Sequence, residues 1–292
     1  MTETTQYYRV ADLPFAIEAR PEHFALLPNY EPFIADADAS PMFVLHVSEE
    51  AFPDMEGWEH MHTESSEPSL PRVEIYRRAD EWLFRLAYTR DGDVVAVLRC
   101  SADWSNATLS FRHEALRFAV DFAAMMSYAC CAAPHRTLLF HASVVMRSGK
   151  GFLFLGRSGT GKSTHSQLWL SAFPDAELLN DDNPVVRILP DDCVQVYGSP
   201  WSGKTPCYRN LSVPVAALVQ LQQAPSNAIC PLKMTQAYPF LLSSVNGLKL
   251  VPAIMDRLYD TIAQLLGHCK VYKLDCLPNL EAAQLCAQTC LS

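Results

Sequence analysis

The sequence predicts an α+β protein in two parts: a small antiparallel β-rich domain over residues 1–112, then a mixed sheet with its covering helices over residues 113–292. Three observations lead there. The first third is rich in short apolar and β-branched runs broken by turn residues. A helix-periodic apolar stretch follows, from His113 to Ala133. After it come two strands around a tight glycine turn, and the second strand runs into a glycine loop and a helix.

The composition supports a folded chain. Of 292 residues, 49% are hydrophobic and 19% charged, enough apolar material for real cores. The net charge of -9 repels a nucleic-acid backbone, so nucleic acid is not an expected partner. Met1-Thr2-Glu3-Thr4-Thr5-Gln6 has neither the basic nor the apolar region of a secretory leader. The apolar helix from Phe118 to Ala133 carries Asp121 and reads as too short to span a bilayer. The expectation is a cytoplasmic protein with no membrane partner. Its ten cysteines should then be free and mostly buried thiols. Cys130-Cys131 and the Cys286, Cys290 pair match no zinc-ligand spacing.

In the first part, Met42 to Val47 and Trp82 to Tyr88 read as strands, and Arg90-Asp91-Gly92-Asp93 as the hairpin turn leading to Val94-Val95-Ala96-Val97-Leu98. Thr63 to Pro71 reads as a loop. His60-Met61-His62 could set two imidazoles on one strand face, but no third ligand is evident nearby, and a solvated loop is the expectation.

The second part carries the chemistry. Leu138 to Met146 reads as one strand, Arg147 to Gly151 as a turn and Phe152 to Leu155 as a second strand. Then comes Gly156-Arg157-Ser158-Gly159-Thr160-Gly161-Lys162-Ser163-Thr164, which fits G-x-x-x-x-G-K-[ST] in the strand-to-helix setting that the phosphate-loop pattern requires. Gly156, Gly159 and Gly161 let successive N–H groups turn toward an anion, and the helix N-terminus adds its positive end. Arg157, Ser158, Thr160 and Thr164 complete the nucleotide-binding segment, Arg157 and Thr160 mainly through backbone donors. Lys162 would reach the outer phosphates of ATP, and Ser163 would ligate Mg²⁺.

Glu177-Leu178-Leu179-Asn180 reads as a strand that delivers Asp181 and Asp182 to the carboxyl edge of the sheet. Side chains alternate along a strand, so one acid can hold the metal while the other meets the attacking hydroxyl. Their closeness could also raise one pKa into the range of a general base. Asp182 reads, with Ser163, as a metal ligand, although the spacing alone does not separate the two roles. Asp191-Asp192 reads as a plain turn. A later loop holds Trp201, Lys204 and Arg209, which could stack a base, clamp an acceptor or neutralise charge, Arg209 being the best suited to phosphate. Its Gly203-Lys204-Thr205 is not a clear second phosphate loop, because Pro200 and Trp201 interrupt the nest. Beyond it, Val215 to Leu221 reads as a buried strand, and Met255 to Leu266 and Leu280 to Ala287 as amphipathic helices.

The strand bearing His141, the glycine turn, the hydrophobic strand, the Gly-Lys-Ser loop and the early Asp-Asp pair together resemble the HPr kinase/phosphorylase family and the fold it shares with phosphoenolpyruvate carboxykinases. The resemblance runs clearly from Leu138 to Asn183. It implies that Lys162 and Ser163 handle ATP and Mg²⁺, and that His141, Asp181 and Asp182 surround the transferring phosphoryl. It also implies an acceptor hydroxyl, most simply a serine, on a protein or small molecule. Thr164 stands where those kinases carry Glu, and Ala142 where they carry Gly. The residues also allow a nucleotide-switched binding module, or an ATPase without an acceptor. A homo-oligomer is compatible with either.

Overall fold

The computed structural model describes residues 3–37, 40–64, 71–203 and 205–291. Lys204 and most of the expected loop before Pro71 lie outside them. The fold is mixed α/β with two large mixed sheets. The chain divides into two compact units, Met1–Cys131 and Ala132–Ser292. That division falls after the long apolar helix, whereas the sequence reading placed it before, at 112/113.

The first unit is a nine-stranded sheet in the order β3-β1-β2-β4-β9-β8-β7-β6-β5. Its elements are β1 (Thr4–Val10), β2 (Leu13–Ala19), helix α1 (Pro21–Phe24), β3 (Ile34–Ala35), β4 (Val44–Ser48), β5 (Glu59–Glu64), β6 (Arg72–Arg78), β7 (Glu81–Ala87), β8 (Val94–Cys100), β9 (Asn106–Phe111) and helix α2 (Leu116–Ala132). It is larger than the expected small antiparallel domain, and it is mixed. β4 runs parallel to both β2 and β9. The segment between β2 and β4, with α1 and β3, supplies the crossover that a parallel pair needs.

The β7–β8 hairpin forms as the sequence predicts. Gly92, however, is not in the left-handed region; a Cβ there would lie 2.8 Å from Thr89 Oγ1. Close approach, rather than positive φ, is the reason for glycine. His60 and His62 fall on β5, an exposed edge strand with a bulge between them, and not in a loop. Among the described residues no three His, Cys, Asp or Glu gather to hold a metal on their own.

With its flanking 3₁₀ turns, α2 makes a helical run from His113 to His135, 23 residues that contain an 18-residue stretch of mean hydropathy 1.3. By length and composition that run could cross a membrane, which corrects the expectation that it is too short. In this unit it serves as a core helix. Leu116, Ala119, Val120, Ala123 and Ala124 are buried, the Tyr128 hydroxyl donates to Val10 O at 3.0 Å, and Phe122 packs edge-on against Phe84. All ten cysteines are free, although Cys193 and Cys230 are exposed and only four are fully buried.

The second unit contains β10 (Thr137–Phe140), β11 (Ala142–Arg147), β12 (Lys150–Leu155), helix α3 (Lys162–Ala172), β13 (Glu177–Asp182), β14 (Val185–Ile188), β15 (Val194–Tyr197), β16 (Ser212–Gln223), β17 (Ala228–Pro231), helix α4 (Met234–Ser244), β18 (Val245–Asn246), helix α5 (Pro252–His268), β19 (Lys270–Cys276) and helix α6 (Leu280–Leu291). The sheet runs β13-β11-β12-β16-β15-β14-β10-β18, with β19 also on β16 and β17 on β19. β11 and β12 form an antiparallel hairpin whose two turn residues, Ser148 (φ 51°) and Gly149 (φ 71°), both take positive φ, as a tight hairpin of this twist requires. On its other side β12 pairs with β16 in parallel.

One core cluster fixes this end of the sheet. Phe152 and Phe154 on β12, Val219 and Leu221 on β16, and Leu274 on β19 pack with Trp169 of α3 and with Ala283, Cys286 and Cys290 of α6. Truncating one of these aromatics to alanine costs about 3–5 kcal/mol, so α3 is held firmly over the strand that leads into it.

Candidate functional site

Strand register gathers the site. Ala142, the first residue of β11, lies opposite Leu155, the last of β12, and opposite Asp182, the last of β13. His141 precedes Ala142 and Gly156 follows Leu155, so histidine, loop and acids meet at one sheet end. The expected single strand over 138–146 is broken here. β10 ends at Phe140 and pairs with β14 and β18, whereas β11 pairs with β12 and β13. His141 occupies the corner, its N–H donating to Ser244 O at 2.8 Å.

The loop has the conformation that its glycines permit. Gly159 and Gly161 take φ of 80° and 101°, which side chains with a Cβ rarely adopt. Lys162 is the first residue of α3, so the free N–H groups of the helix start face the loop. The Thr160 N–H and hydroxyl both donate to Arg157 O, at 3.1 and 2.7 Å, closing the turn. Arg157, Ser158, Gly159 and Thr164 are exposed.

Lys162 is 9% exposed. Its ammonium donates to His141 Nε2 at 2.8 Å and to Gly156 O at 3.0 Å, with Arg157 O at 3.5 Å. Burial pushes its pKa below the usual lysine range, and Asp182 and Asp181 oppose that shift. An ammonium can only donate, so His141 Nε2 accepts and its Nδ1–H faces Asp182 Oδ1 at 3.0 Å. His141 thus links the loop lysine to one acid.

The other acid turns inward, as alternation along β13 requires. Asp181 is 3% exposed and accepts from the Ser163 hydroxyl at 2.9 Å through Oδ1. Its Oδ2 is buried without a hydrogen-bond partner. A buried carboxylate oxygen with no donor, beside the loop serine, fits a bound cation. Mg²⁺ completes its shell with phosphate oxygens and water and so needs few protein ligands. The geometry therefore gives Ser163 the partner Asp181, where the sequence points to Asp182. Asp182 instead meets His141 and accepts from Asn183 Nδ2 at 2.9 Å.

Residues that the sequence reading did not single out hold the acids in place. Asn180 is fully buried; its Nδ2 donates to Ser199 O and Oγ at 3.3 Å, and its Oδ1 accepts from Asn183 N at 2.9 Å. Gly203 N donates to Asp181 O at 2.5 Å, and a Cβ at Gly203 would come within 2.9 Å of that same oxygen. The polar run Asn180 to Asn183, at the end of an otherwise apolar strand, was the available signal.

Two expected contributors are not brought to the site. Arg209 donates to Glu177 Oε2 at 2.7 Å and to Leu178 O at 2.9 Å, at the start of β13. At ~3.3 Å per residue that is roughly 10 Å from the acids at the other end of the strand. Trp201 is buried at 3% and offers no exposed stacking face. Asp192 lies in the turn between β14 and β15, as expected, bonded to Arg136 at 2.7 Å.

A cleft of about 730 Å³ opens beside His141, Gly156 and Arg157, walled by Gln220 and Gln222 of β16 and by Phe240 and Ser243 of α4. That size suits a small-molecule site. None of these wall residues was a sequence candidate, because they reach the loop only through the sheet topology. Compared with protein-family models, the chain matches none, and a comparison with curated proteins gives no match either.

Proposed function

We propose that this chain is an ATP- and Mg²⁺-dependent kinase of the HPr kinase-like, carboxykinase-like fold, transferring the γ-phosphoryl group to an acceptor hydroxyl. The observation that carries the reading is the single sheet end where the loop lysine, His141 and the two acids meet, with Asp181 paired to Ser163 and Asp182 to His141. The antiparallel hairpin before the loop also favours this fold over an ordinary phosphate-loop sheet, whose strands are parallel and joined by crossovers.

Ser163 and Asp181 would hold Mg²⁺, which when bound neutralises charge on the phosphate oxygens. The loop N–H groups and the start of α3 seat the phosphate chain. Lys162 exchanges its contacts with His141 and Gly156 for phosphate oxygens. Asp182, oriented by the Nδ1–H of His141, takes the proton of the acceptor hydroxyl. The acceptor oxygen then bonds to the γ-phosphorus, the bond from that phosphorus to the bridging oxygen breaks, and ADP leaves with the electron pair. A serine hydroxyl is the simplest acceptor, and the 730 Å³ cleft beside His141 is its entrance.

Incubation with γ-labelled ATP and a cell lysate tests the reading. Label should pass to a protein or small molecule. Asp181→Ala and Asp182→Ala should each abolish transfer, while Asp182→Ala still binds ATP. Full transfer by both variants ends the assignment, and free phosphate as the sole product replaces it with hydrolysis.

A further inference from the structure

A second recess, of about 420 Å³, leaves the loop at Gly159 and Gly161, on a set of residues that excludes His141 and both acids. It passes Thr164 and is walled by His165 and Leu168 of α3 and by Ala224, Leu277 and Pro278. No charged side chain lines it among the described residues. A nucleotide seated on this loop has its reacting end at Lys162 and the acids, so its base must leave by another route. A slot of apolar walls with few polar groups is the usual seat of a heteroaromatic ring.

The polar group that α3 contributes at the base of that wall, His165, is fixed. Trp169 Nε1 donates to His165 Nε2 at 3.1 Å. An indole N–H only donates, so His165 Nε2 is the acceptor and the ring proton sits on Nδ1. His165 is 3% exposed and stands edge-on to Phe154, with centroids 4.7 Å apart and planes at 82°. Trp169 is itself locked between Phe152 and Phe173. The slot thus presents a rigid N–H donor at His165, with Thr160, Thr164 and Gln223 as the other polar residues of its lining and Leu168, Ala224, Leu277 and Pro278 as its apolar walls. A base that offers no acceptor there leaves that donor unpaired.

We propose that this slot takes a purine base and that the Nδ1–H of His165 donates to one of its ring nitrogens, selecting purine over pyrimidine nucleotides. The proposal rests on the phosphate-loop reading above. A pyrimidine, one ring smaller, would neither fill the slot nor reach the donor.

Calorimetric binding of ATP, CTP and inorganic tripolyphosphate with Mg²⁺ tests it. ATP should bind about tenfold or more tighter than the other two. His165→Leu should lose that advantage and leave tripolyphosphate affinity unchanged, and His165→Asn, which keeps an N–H near the same position, should restore part of it. Leu277→Trp, at an exposed position on the slot wall, should bring ATP down to the tripolyphosphate level without touching α3. If ATP binds no tighter than tripolyphosphate, or His165→Leu keeps the full ATP-to-CTP ratio, the proposal is overturned while the loop reading stands. If none of the three binds, both fall.

Discussion

The two sheets bury similar apolar material, yet they treat polar groups differently. In the first unit the buried polar side chains, His23, Asn29, Ser110 and Ser127, lie on four separate stretches of chain. In the second, Lys162, Asn180, Asp181, Asn183 and Ser199 are buried together at one sheet end. Burying a lysine and an aspartate is costly unless they are paired, and one oxygen of Asp181 is not. A fold does not need such a cluster for stability. The difference between the units is what the proposed phosphoryl-transfer site rests on.

If that contrast is correct, Lys162→Met should have a large effect. Transfer should fall by roughly 10²–10³, while the melting temperature stays the same or rises, because a desolvated cation has been removed. A variant that unfolds instead would make Lys162 a structural residue.

The pH dependence of the nucleotide-free protein should separate the units further. Burial holds His165 at about 4, down from its ordinary 6.5. Between those values the unfolded chain binds a proton that the folded chain does not. Stability of the second unit is thus fully present above 6.5 and should decline by about 3 kcal/mol toward pH 4. In the first unit burial chiefly, opposed by its bond from Asn29, raises Asp121 to about 6 from 3.8. There the folded state binds the extra proton, so Asp121 adds stability to that unit as pH falls from 6 toward 4, against a smaller opposite contribution from His23, whose pKa burial lowers. Denaturant melts at pH 6.5 and 4.5 should show two transitions moving in opposite directions, each flattened by His165→Asn or Asp121→Asn. Transitions that move together would break the comparison.

The smallest effect is expected at Arg209. Its partners are Glu177 and the Leu178 carbonyl, so Arg209→Ala should leave transfer within about twofold and cost no more than ~1 kcal/mol. A large fall in kcat would return Arg209 to the reaction.

What was readable in advance was local. The loop, its helix, the tight turn before it and the acid-bearing strand are short-range patterns, because glycine placement and period-two alternation act over a few residues. The break at His141 was hidden: Leu138 to Val145 is apolar almost throughout, and a strand buried on both faces carries no mark of where its partners change. Which acid faces Ser163 depends on the register of β13 against β11, and the seat of Arg209 on how the 198–211 loop folds back on β13. Both are long-range. The mixed character of the first sheet was lost for the same reason, since β4 finds β9 across some sixty residues.

The backbone at Asp182 has a consequence of its own. Its φ is 150°, a value that residues other than glycine rarely adopt, and holding a side chain there costs on the order of 1–3 kcal/mol. Asp182→Gly is therefore expected to yield a protein that melts higher and transfers nothing. A lineage released from the need for this carboxylate has a one-step downhill path to a sturdier, inert descendant. On the proposed reading, a glycine at this position in a related chain marks a protein that no longer transfers phosphate.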